Sequence, residues 1–176
     1  MLEQVKRMMA GARLKKLKAQ AVQRNSAQNP LQKGAQCLLL FTLEDSGKTQ
    51  AVNFLRKALV NEGMSVDLVG YAADLKKAES GGYDLVSMDD FNWLGKEESA
   101  YVRDMLQKPY DFLFHADGDS DVFVQYIVAA SRAKTKVGIH QQGNELFYDL
   151  MVCQSVAHRK TLEDMFFYTQ KMNKDK

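Results

Sequence analysis

From residue 36 onward the hydrophobic positions of this chain alternate between two spacings. Gln36–Thr42 is an almost unbroken apolar run, the pattern of a strand covered on both faces of a parallel sheet. Behind it, Val52, Leu55 and Leu59 recur at helical spacing, with Ser46 or Asp45 placed to cap that helix and Gly63 placed to end it. Met64–Tyr71 is a second strand, and the connection between the two strands has the length of a parallel crossover. Tyr83–Met88 reads as extended, Asp89–Gly95 as a turn and Lys96–Gln107 as helical. Tyr110–Ala116 is a strand, Asp119–Ala133 a largely buried helix, Lys136–His140 a short strand and Phe147–Cys153 the last one. A final helix carries Leu162, Met165, Phe166 and Thr169 on one face. This order predicts an α/β protein, a three-layer sandwich around a mostly parallel, Rossmann-like sheet, preceded by a basic N-terminal helix. Ligands of such sheets favour the carboxyl edge, here where the loops after strands one and four would meet.

Residues 2–25 have helical composition but no single apolar stripe. Leu2, Val5, Met9 and Ala12 share one face, while Leu14, Leu17 and Ala21 lie nearly opposite. The cations are spread around the cylinder, whereas a membrane-surface helix gathers them on one side. Two short apolar patches joined at Gly11 fit docking onto a protein instead. Asn25–Gly34 reads as a linker. The expected division is therefore a basic helix and linker over 1–33, followed by one α/β domain over 34–176.

Charge sharpens that division. Residues 1–33 hold eight Lys or Arg against the single acid Glu3, while the remainder holds sixteen against twenty-one, a split concealed by a net charge of +2. With 176 residues there is room for one ordinary domain and none for a two-domain enzyme. Nine Phe, seven Tyr and nine Met exclude a disordered body. No stretch approaches the roughly 20 apolar residues of a membrane span. Lys6 and Arg7 interrupt any signal-peptide core, so a cytoplasmic protein is expected. Cys37 and Cys153 sit in apolar runs, as small hydrophobes do, and two such residues make neither a zinc site nor a disulfide framework.

Candidate chemistry is confined to two loops. Ser46-Gly47-Lys48-Thr49 lies at a strand-to-helix turn, where a phosphate-binding loop carries Gly-Lys-Thr. The full motif needs Gly at position 42, which is Thr42, and Glu44 and Asp45 add negative charge where a polyphosphate would sit. The plainer reading is a capped helix with an exposed lysine. The second loop, Asp117-Gly118-Asp119-Ser120-Asp121, alternates carboxylates as a site for a hard divalent cation does, through Asp117, Asp119 and Asp121. A calcium loop would need Gly and Glu where Val122 and Val128 stand, and phosphatase or glycosyltransferase Asp-x-Asp pairs match only in part. Acids near a helix start are in any case favoured by its dipole. His115 ends a strand beside this loop; His140 and His158 form no ligand spacing with it. Trp93 reads as a binding-surface aromatic or, as is commoner for a lone Trp, a buried anchor under its loop. No motif implies a cofactor.

Asn92-Trp93-Leu94-Gly95, then Tyr110-Asp111-Phe112-Leu113, Gln125 to Ser131, Ala133 to Gly138 and Tyr148 to Val152 together resemble an uncharacterised family of small Bacteroidota proteins, classed as a domain of unknown function. The resemblance covers most of the chain and implies no activity; where those relatives often place Pro before the helix, Asp121–Val124 has none. Residues 110–139 are also similar to the N-terminal half of the heptosyltransferases of lipopolysaccharide synthesis, in which a strand, an alanine-rich helix and a Lys-x-x-Val-Gly-like strand follow one another. Those enzymes bind nucleotide sugar mainly through a second domain, so the similarity implies fold rather than transfer chemistry.

Two functional classes follow. In the first, a non-enzymatic adaptor engages RNA, a ribosomal surface or an acidic protein through Lys6, Arg7, Arg13, Lys15, Lys16, Lys18 and Arg24. In the second, an enzyme or its relic binds a sugar or phosphate ligand at the sheet edge through Asp117, Asp119, Asp121 and His115, with Ser46, Gly47, Lys48 and Thr49 nearby.

Overall fold

The computed structural model describes residues 1–21, 31–43, 46–75, 78, 81–118, 121–143 and 145–172. Among them are six strands, β1 (Gln36–Thr42), β2 (Ser65–Tyr71), β3 (Asp84–Val86), β4 (Phe112–His115), β5 (Thr135–Ile139) and β6 (Leu150–Val152). Five helices accompany them: α1 (Leu2–Ala21), α2 (Ser46–Asn61), α3 (Ala100–Gln107), α4 (Val122–Ala130) and α5 (His158–Lys171). All the strands pair in parallel, in the order β3-β2-β1-β4-β5-β6. This is the doubly wound Rossmann order, which reverses direction between β1 and β4.

The apolar runs are explained by that position. Leu38, Leu39, Leu40 and Phe41 are all fully buried because helices cover both faces of β1. Leu38 and Leu40 face a core shared with α1, α3 and α4, and Leu39 and Phe41 face one shared with α2 and α5. Gly63, at a positive φ of 83°, turns the chain out of α2 into β2 as its position anticipates.

Several boundaries move. Helix α3 starts at Ala100 rather than Lys96 because Glu97 forms an antiparallel bridge with Phe91 and Asn92 N–H donates to Lys96 O. Helix α4 starts at Val122 because the Asp121 carboxylate accepts from Phe123 N–H at 3.0 Å, an N-cap. The last strand contracts to Leu150–Val152, and Phe147 enters the core from a 3-10 turn at Glu145–Phe147. Trp93 is 59% exposed rather than buried, and Cys153 is exposed just beyond β6 while Cys37 is fully buried.

Helix α1 packs along α4, with Ala10 and Leu14 buried in the same core as the sheet and Leu17 and Ala21 packed against it. Residues 22–30, most of the expected linker, lie outside the described residues.

Candidate functional site

The loops leaving β1 and β4 meet at the carboxyl edge because Leu40 of β1 pairs in register with His115 of β4. Just beyond, Asp117 is 2% exposed and ties the two loops together. Its Oδ2 accepts from Thr42 N–H at 2.7 Å and from Thr42 Oγ1 at 3.1 Å. Its Oδ1 forms an ion pair with Lys48 Nζ, from the first turn of α2. Lys48 is 4% exposed, so the exposed lysine anticipated at this turn is instead a buried ammonium facing a buried carboxylate.

Behind this pair stands a second layer. His115 is fully buried; its Nε2 lies 3.4 Å from Asp117 Oδ2, and its Nδ1 shares a 2.6 Å hydrogen bond with Tyr148 Oη. Burial pushes the Asp117 carboxyl up, but the His115 imidazole and the Lys48 ammonium outweigh it and hold the group below its ordinary range. Burial, reinforced by the charge on Asp117, pushes the Tyr148 phenol well above its ordinary value.

The Lys48–Asp117 pair forms the floor of a cavity of about 140 Å³, roofed by Gln154, by His158 and Thr161 of α5, and by Ile139 and Leu162. Thr161 Oγ1 is engaged, accepting from Ser155 N–H at 2.9 Å. Lys48, Gln154 and His158 bring an ammonium, a carboxamide and an imidazole to the lining, while the Asp117 side chain is itself fully buried. A volume near 150 Å³ admits a benzene-sized guest, so this one has room for a single ring or a comparable polar group and not for a dinucleotide.

A family model, described as a family of unknown function (DUF6913), matches residues 6–171. The chain belongs to that family. No curated protein matches this DUF6913 chain. Among solved structures, E. coli heptosyltransferase WaaC with ADP is 14% identical with a TM-score of 0.47, the match covering 76% of this chain and 46% of that one.

Within the DUF6913 chain the acidic loop is divided. Asp117 turns toward Lys48, while Asp121 turns toward α1, where its Oδ2 meets Arg7 Nη1 at 2.5 Å. Asp119 lies outside the described residues. The structure therefore does not bring Asp117 and Asp121 together as cation ligands, and no group of three or more His, Cys, Asp or Glu side chains fit for a metal occurs among the described residues. At the α2 turn, Ser46 and Gly47 are exposed and only Lys48 reaches the cavity; Thr49 is half-buried.

The basic residues of α1 mostly face the body. Lys6 Nζ donates to Met88 O at 3.4 Å and lies 3.9 Å from Asp89; Arg7 also meets Glu3 at 3.1 Å. Arg13 Nε donates to Leu94 O at 3.0 Å and Lys18 Nζ to Gly143 O at 2.6 Å. Lys15 and Lys16 are exposed, and Arg24 lies outside the described residues. No helix among the described residues is long and apolar enough to cross a membrane.

Sequence reasoning passed over Tyr148, Gln154 and His158 as site residues. Gln154 and His158 had one sequence-level signal, their position between the end of β6 and the start of α5, which parallel winding delivers to this edge; Tyr148 precedes β6 and reaches His115 across Gly138.

Proposed function

We propose that this protein binds a small, neutral, hydroxyl-bearing ligand, a sugar ring or similar polyol, in the cavity over the Lys48–Asp117 pair. One observation carries the reading: a buried ion pair placed where the sheet's direction reverses, its two residues lying in the lining of a cavity. Desolvating two charges costs several kcal/mol per ion, and apolar residues in their place usually hold a fold as well or better. Retaining the pair at a cavity wall is a cost that ligand recognition explains. The balance of groups selects the ligand class. Each hydroxyl both donates and accepts, matching the Lys48 ammonium and the Gln154 carboxamide of the lining, whereas a bare phosphate would meet the charge of Asp117, buried beneath and held in its ionised form. His115, backed by Tyr148, keeps the carboxylate in place as the counter-ion of Lys48.

The reading in which α1 holds RNA, a ribosomal surface or an acidic protein draws support from composition. Among the described residues it retains Lys15 and Lys16 as exposed cations with no ion pair. Two neutralised phosphates give a salt slope of only about −1.4 to −1.8, too shallow for firm nucleic-acid binding.

Thermal unfolding of the intact chain against a panel of monosaccharides, inositol, nucleotide sugars and inorganic phosphate tests the proposal. A sugar or polyol at about 100 times its Kd adds about 2.7 kcal/mol, a rise of roughly 5–10 °C for a chain of this size. A rise with phosphate alone, or with no member of the panel, rejects it.

A further inference from the structure

A second cavity, of about 350 Å³, lies at the amino edge of the sheet, away from the Lys48–Asp117 pair. Leu17 and Ala21, from the last two turns of α1, line one part of it, and Ala129 and Ala133, where α4 passes into β5, line another. Leu146 and Phe147, from the 3-10 turn before β6, complete the apolar lining. The volume is more than twice the roughly 150 Å³ that admits benzene and falls within the roughly 300–1,000 Å³ of small-molecule sites.

The polar part of this lining is cationic. Lys136 is 3% exposed, and its Nζ donates to Val128 O at 2.6 Å and to Ala129 O at 3.2 Å. The ammonium is thereby fixed in the wall, where it also covers the negative end of α4. Arg132 lines the same cavity from an exposed position and forms no ion pair among the described residues. Ser131 Oγ is engaged, accepting from Ala133 N–H at 3.2 Å. Among the described residues that line the cavity there is no acid. Asp149 accepts from Lys136 N–H at 2.7 Å and Glu145 from Gly143 N–H at 2.9 Å, and neither belongs to the lining.

Two cations in an otherwise apolar hollow call for an anion with an apolar body. A guanidinium is a planar fork that a carboxylate meets with both oxygens. Size decides between kinds of occupant: the space holds one ring or a short acyl chain, and neither a helix nor a strand of another protein or of a second copy. The stretch of this chain that follows Ala21, residues 22–30, carries Arg24 and no acid, so it would bring a third cation to the two already there.

We infer that this cavity binds a small monocarboxylate with an apolar body, a single-ring acid or a short acyl chain, its carboxylate on Arg132 and its apolar part against Leu17, Leu146 and Phe147. The inference does not depend on the polyol site at the carboxyl edge.

The full chain is titrated with phenylacetate and hexanoate, and with phenylacetamide and hexanol as uncharged counterparts of similar shape, while backbone amide NMR shifts are recorded. Both acids give saturable shifts at Leu17, Ala133 and Phe147, and the uncharged compounds bind roughly tenfold or more weakly. Arg132→Gln, at an exposed position, leaves the melting temperature unchanged and brings the acids down to the level of their counterparts. Leu146→Ser weakens the acids and keeps their preference over the uncharged compounds. The inference is overturned if neither acid shifts those amides saturably, if the uncharged compounds bind equally well, or if Arg132→Gln leaves acid binding as it was. Shifts at Leu17 and Phe147 that follow protein concentration without acid assign the cavity to a second copy, and Val22–Phe147 contacts that persist at every acid concentration assign it to the chain itself; either also overturns it.

Discussion

Asp117 and Lys48 are each other's counter-ion in a nearly waterless place, and this makes single and paired substitutions behave oppositely. Lys48→Met alone leaves an uncompensated buried carboxylate and is expected to cost about 3–5 kcal/mol in urea unfolding. Combining Lys48→Met with Asp117→Leu removes both charges and is expected to recover most of that loss, or more. The two substitutions adding independently would show that the pair is not coupled. The carboxyl also sets an acid limb. Its folded pKa lies below the unfolded value of about 3.9, so its stabilisation is complete above that value and is lost as pH falls through the folded one. Stability measured between pH 5 and 2 should therefore fall less steeply in Asp117→Asn than in the parent chain. None of this coupling could be read along the sequence, because each partner alone has an ordinary local explanation: an acid after a strand and a lysine in the first turn of a helix. Lys48 stands two residues past Ser46, and only the parallel pairing of β1 with β4 carries it to Asp117.

Elements were more legible than their contacts. Strands β1 and β4 announce themselves as short apolar runs because a two-sided cover leaves no polar position to interrupt them, whereas Asp67 interrupts β2 and Lys136 interrupts β5. The ends of α3, α4 and β6 shifted because a bridge, a cap and a 3-10 turn outweigh periodicity over two or three residues. Helix α1 shows the limit most plainly. Its two apolar patches are visible in the sequence, but which of them the body covers depends on α4. Two substitutions test that docking. Asp121→Ala removes the cap of α4 and the partner of Arg7 together, at an expected cost of about 1–2 kcal/mol. Gly95→Ala places a side chain at a φ of 65° and against the backbone of Ala10, at about 1–3 kcal/mol. Faster hydrogen exchange in α1 than in α2 would accompany both losses; unchanged exchange in α1 would show that the loop does not hold the helix.

At the scale of the whole molecule, the doubly wound order decides where chemistry can gather. Reversal between β1 and β4 opens the carboxyl edge at one place, and there α2 delivers Lys48 to a carboxylate from β4's loop while α5 brings His158 to the same cavity. The charge asymmetry that dominates the sequence has a different outcome. Most of the described cations of α1 fasten that helix to its own body, and Lys15 and Lys16 stay exposed. The measurement closest to the central claim is a backbone amide NMR titration of the intact chain with the sugar or polyol that most raises its melting temperature. Saturable shifts concentrated at Asp117, Gly118, Gln154 and Thr161, absent from the Lys48→Met, Asp117→Leu chain, are the predicted result. Shifts that spare those four amides, or that persist unchanged in the doubly substituted chain, would contradict a ligand site at this edge.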